Sequence, residues 1–114
     1  MDVDAALGEL IELSSQVEAA VVLDRAGVAG STGPAAEGLA AAADALLEAA
    51  GALRPDGPAV SRVEVTLPEA GVFVVREGER RIAARTVPRP TAGLVVYDLR
   101  TCLRRLGERG AADA

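Results

Sequence analysis

A chain of 114 residues, half of them apolar and with a net charge of −5, has room for one domain around a single core. All twelve basic residues are arginine, and neither lysine nor histidine occurs. Schiff-base chemistry, the lysine of a phosphate loop, and the commonest general base and metal ligand are therefore excluded.

Val3, Leu7, Leu10 and Ile11 fall on one stripe of residues 3–15, which predicts an amphipathic first helix. "EAAVVLD" (18–24) is a nearly unbroken apolar run of strand length, as expected of a strand covered on both faces. "DRAG" (24–27) reads as a hairpin turn in which Gly27 takes a positive φ, with Val28–Ser31 as the short returning strand. Pro34 then opens a helix, at the position where no backbone donor is needed.

That central helix is expected over Ala35–Leu53, with an apolar seam of Leu39, Ala43, Leu46, Ala50 and Leu53. Glu37, Asp44 and Glu48 form an acidic ridge opposite, and Ala36, Ala40 and Leu47 a flank small enough for another backbone to approach. "RPDGP" (54–58) is a loop. "SRVEVTL" (61–67) alternates, Val63, Val65 and Leu67 against Arg62, Glu64 and Thr66, and predicts a strand with one wet side. "VFVVRE" (72–77) reads as a buried strand and "RRIAARTV" (80–87) as an arginine-rich one. After "PRP", Thr91 is a candidate N-cap for a last helix whose apolar face is Val96, Leu99, Leu103 and Leu106. The element order is α-β-β-α-β-β-β-α, a single domain over 1–107 followed by a flexible tail, 108–114.

With one Phe, one Tyr and no Trp, the core must be built from small and branched aliphatics, and subunit association would help to complete it. Residues 1–57 carry ten acids against two arginines, and residues 58–114 ten arginines against seven acids. That asymmetry suits docking between charged protein surfaces. Overall acidity and the lack of stacking aromatics argue against nucleic acid as a partner. The acidic start "MDVDAAL" is unlike a secretory leader. No apolar run approaches the ~20 residues that cross a bilayer. The expectation is a cytoplasmic protein without membrane insertion.

No catalytic, cofactor or metal site emerges. Gly27, Gly30 and Gly33 follow a strand but stand three apart, and no lysine accompanies them, so they read as turn and helix-entry residues. Cys102, beside the last helix's apolar face and with no histidine to activate it, reads as a structural thiol. Arg76, Arg80, Arg81, Arg85 and Arg89 form a basic region, read as a solvated sheet edge balanced by Glu77 and Glu79, with an anion or acidic-partner site as the alternative.

"LGELIEL", "AAVVLDRAG", the alanine-rich central helix and "TAGLVVYDLRTCLRRL", in this order, resemble the roadblock (dynein light-chain type) domain, in particular bacterial regulators of Ras-like small GTPases. The resemblance implies a profilin-like α+β sandwich, a five-stranded antiparallel sheet with the central helix on one face and the terminal helices on the other. It also implies a homodimer through paired central helices and third strands, here expected to use Ala36, Ala40, Leu47, Arg62 and Glu64. The implied function is non-catalytic: binding a small GTPase and modulating its nucleotide cycle, with Glu37, Asp44 and Glu48 as the expected partner contacts and no cofactor. The alternatives are a scaffold subunit without effect on a GTPase, and a PAS-like small-molecule sensor.

Overall fold

The apolar run after the first helix is the centre of the molecule. The computed structural model describes residues 2–113, and in it that run forms β1 (Val17–Asp24), whose side chains are buried on both faces from Ala19 to Leu23. β1 follows α1 (Val3–Leu13), whose first turn is capped by Asp2: its Oδ1 accepts the Ala5 N–H at 2.7 Å. Gly27, at φ 118°, closes the hairpin into β2 (Gly27–Ser31). The chain continues through a 3₁₀ turn (Pro34–Ala36) into α2 (Leu39–Ala52), then β3 (Arg62–Thr66), β4 (Gly71–Glu77), β5 (Arg80–Thr86) and α3 (Ala92–Asp113).

All five strands join one antiparallel sheet in the order β2-β1-β5-β4-β3. Its middle brings together strands far apart in sequence, with Val22 opposite Ile82 and Val21 opposite Ala83. Because strand residues alternate between faces, each apolar strand serves two cores. On one face Leu7 and Leu10 of α1 and Val95, Leu99 and Leu103 of α3 pack against Val22, Phe73, Val75 and Ile82. On the other, Leu39, Ala43 and Leu47 of α2 pack against Val21, Leu23, Val74 and Ala83. This is the expected α+β sandwich, with α2 alone on one side and the terminal helices together on the other.

A polar side chain lies deep inside it. Thr86 is fully buried; its Oγ1 accepts the Gly71 N–H at 3.1 Å and donates to the Val87 carbonyl at 2.9 Å. A Cβ on Gly71 would lie 2.7 Å from that oxygen, so the glycine makes the contact possible.

Three local expectations differ from the structure. The central helix is interrupted: Gly38, at φ 90°, and the extended Glu37 separate the 3₁₀ turn from α2. The face of α2 against the sheet is Leu39–Ala43–Leu47, with Ala36 ahead of it, whereas Leu53 is 82% exposed. In a helix this rich in alanine the apolar arc is wide enough for two seams, and the one with its leucines at 39 and 47 wins the core. The basic region is no sheet edge either, since β4 and β5 are interior strands. Glu77 and Glu79 are balanced from elsewhere, by Arg104 and Arg25. α3 is described as far as Asp113, and Ala114, the last residue of the expected tail, lies outside the described residues.

Candidate functional site

α2 has two unlike flanks. Ala40 lines a cleft beside β2 with Val21 and Val28. Asp44, one turn on, forms an ion pair with Arg81 of β5, Oδ1 to Nη2 at 3.0 Å. That flank therefore overlooks β2, β1 and β5. Arg81 is held at a second point, Nη1 donating to the Asp24 carbonyl at 3.3 Å, and its Nε is buried without a partner. The Arg81 side chain is only 16% exposed while Asp44 is 59% exposed. The Asp44 carboxylate is thus anchored from below and open to solvent above. Glu48 follows one turn later and is also exposed, so Asp44 and Glu48 share one ridge. Glu37 stands apart from them, in the turn before α2 and beside the β2 cleft.

On the opposite flank, Ala42 and Leu46 are half-buried and Ala45, Ala49 and Leu53 are exposed. With 3.6 residues per turn this flank is turned toward β3. β3 is a sheet edge, bonded only to β4. An apolar helix flank thus lies beside an open strand. Arg62 and Glu64 sit on β3 and pair with each other within the strand, Nε to Oε1 at 3.4 Å.

Of the residues expected at a contact between copies, Arg62 and Glu64 are exposed on that edge. Ala36 and Leu47 are 3% and 5% exposed and already covered by the sheet, and Ala40 faces the β2 cleft. The physical reason is the choice of α2 seam described above. On the flank toward β3, Ala42, Ala45 and Ala49, which sequence reasoning passed over, are the small residues left half-buried or exposed. Their spacing of three and four residues from 42 to 49 was the available signal, hidden because alanine occupies most of the helix.

Cys102 is buried between α3 and α1, and burial pushes its thiol up to about 11, the opposite of an activated nucleophile. Among the described residues no three His, Cys, Asp or Glu side chains converge as a metal ion would require. Among the same residues no helix is long and apolar enough to cross a membrane.

The geometry defines a class first: an antiparallel α+β sandwich whose open features are a helix ridge and strand edges. The solved structures it resembles are more particular. A roadblock/LC7 domain from Streptomyces avermitilis is 23% identical, with a TM-score of 0.80 over 96% of this chain and 98% of that one. A second roadblock/LC7 domain structure from that organism is 19% identical, with a TM-score of 0.72 over 92% of this chain and 98% of that one. No protein-family model matches the sequence, and no curated protein matches it. The fold is that of the roadblock/LC7 domain.

Proposed function

We propose that this protein is a homodimeric, non-catalytic regulator of a Ras-like small GTPase, acting in the cytoplasm. The observation that carries the reading is the apolar flank of α2 beside the open β3 edge, in a fold shared with roadblock/LC7 domains. Two copies related by a twofold axis would pack Ala42, Ala45 and Ala49 against their counterparts and join β3 to β3. In that arrangement Arg62 and Glu64 of one strand meet their opposite charges on the other. The acidic ridge of Asp44 and Glu48 remains outside the contact, with Glu37 nearer β2, and faces a basic surface of the GTPase. Arg81 holds Asp44 in place for it. The protein would act by reshaping the GTPase's own switch loops.

Sedimentation or light scattering tests the first half. The wild type runs as a dimer, and Ala45→Arg, on the outer flank, runs as a folded monomer. A monomeric wild type refutes the dimer. Hydrolysis and exchange rates of a purified Ras-like GTPase, with and without the protein, test the second half. A changed rate that Asp44→Arg abolishes supports the regulator. Binding with unchanged rates replaces it by a scaffold.

A further inference from the structure

β2 closes the sheet at the side away from β3 and is bonded only to β1. The Thr32 N–H donates to the Ala20 carbonyl at 3.0 Å, and Val22 stands opposite Gly30. Between them Val21 faces Ser31, and beyond a bulge Leu23 faces Val28. In an antiparallel pair bonded and non-bonded positions alternate. Val21 and Leu23 therefore turn their backbone groups to β5, and Ser31 and Val28 turn theirs outward.

This edge is short and bulged but carries no charged or proline guard. No charged residue or proline lies between Gly27 and Ser31, and Val28 is 59% exposed, whereas β3 carries Arg62 and Glu64. A cleft borders it on each face, the two meeting at Ser31. The one toward α1, about 430 Å³, is lined by Asp4, Leu7, Ile11 and Ser31. The one toward α2, about 360 Å³, is lined by Val21, Val28, Ala40 and Glu37. Gly30 lets α1 come down on the strand: a Cβ there would lie 2.6 Å from Val3 Cγ1 and 3.0 Å from Asp4 Oδ1. A carboxylate thus stands on each face of an open, uncharged edge.

We propose that β2 is the docking edge for an extended segment of another protein bearing arginine or lysine on both its faces. The segment adds as a sixth strand, bonding to the outward groups of Val28 and Ser31, with one basic side chain toward Asp4 and another toward Glu37. Charge selects this occupant over a second copy of the chain, whose own Asp4 and Glu37 would meet their like across the same edge. The surface lies across the sheet from β3 and does not depend on the GTPase reading.

The probe is a fluorescent hexapeptide, blocked at both ends, with arginine at its second and fifth positions and valine and threonine elsewhere. Strand alternation sends the two arginines to opposite faces. Anisotropy at low salt reports binding to the full chain. Ser31→Pro removes an outward N–H without touching the β1 ladder and weakens binding at least about tenfold. Glu37→Lys weakens it several-fold, and Glu69→Lys, the same charge change in the β3–β4 turn, leaves it unchanged. The same peptide N-methylated at alternate backbone nitrogens does not bind, a result independent of whether any variant folds. The proposal is overturned if the parent peptide fails to bind, if its N-methylated or glutamate-for-arginine versions bind equally well, or if Ser31→Pro alters the oligomeric state of the protein alone.

Discussion

Leu47→Ala and Leu53→Ala put the orientation of α2 to a quantitative test. Leucine and alanine have nearly the same helix propensity, so the pair isolates packing. Leu47 is 5% exposed and belongs to the cluster between α2 and the sheet. Its truncation removes three buried carbons and leaves a cavity that the strands cannot collapse into, costing about 2–3 kcal/mol, the lower part of the leucine-to-alanine range. A sheet domain of this size loses roughly 1–1.5 kcal/mol of stability per molar urea, so the midpoint falls by about 2 M. Leu53, at 82% exposure, has almost nothing to lose within one chain, and its truncation changes stability by less than about 0.5 kcal/mol. Both are best measured by circular dichroism in an Ala45→Arg background, where association does not contribute. In the background without that arginine, Leu53→Ala weakens dimerisation by about 1 kcal/mol, some fivefold. Equal midpoint shifts for the two truncations in the monomeric background would falsify the assigned face of α2.

Thr86→Val leaves the Gly71 N–H without its acceptor inside the core and lowers stability by about 1–3 kcal/mol, measured by urea denaturation; a neutral outcome would mean that the amide finds another partner. Cys102 keeps its proton longer in the folded state, about 11 against an ordinary 9.0. Below pH 9 both states hold the proton; above it the unfolded chain ionises first, so stability falls from about pH 9 and levels off past about pH 11. Cys102→Ala removes that part of the slope, and a thiol reagent labels the native protein far more slowly than the unfolded one. Gly38→Ala, at a φ of 90°, costs about 1 kcal/mol or more and is read as a lowered thermal midpoint.

Much of this architecture could be read from residue pattern alone, because the relevant signals are local. The unbroken apolar run before Asp24 could only be a strand buried on both faces, Gly27 supplied the positive φ of the hairpin, and Pro34 fitted the opening of a helical turn. What escaped was rotation and neighbourhood. In α2, Leu46 and Leu47 are adjacent in sequence, and which one is buried is decided by how the helix packs on the assembled sheet. The arginines of β4 and β5 looked like an edge because strand order is a long-range property; the sequence around Arg81 says nothing of Leu23 lying beside it. The candidate surface was half legible for the same reason. Its charges, Asp44 and Glu48, stand where helical spacing put them, but the anchoring of Asp44 by Arg81 and the openness of β2 required the assembled sheet.

The place of β1 between β2 and β5 also sets an order of events. β3, β4 and β5 are consecutive hairpins that can zip together early, with little chain to close between their partners. β1 can pair with β5 only after a loop running from Val22 to Ile82 has been drawn in, and each such closure is an entropic barrier met before any contact rewards it. Until then the sheet lacks its middle, the α1 side of the core has no partner, and β5 offers an open row of hydrogen bonds to whatever strand arrives first. Kinetic φ-values near zero at Val21 and Val22, with high ones at Val74 and Ile82, would be the signature of that sequence. The hazard it implies is exchange of the α1–β1–β2 segment between two chains during folding, an exchanged dimer built from the same contacts as the closed domain and separable from it only by how slowly it comes apart.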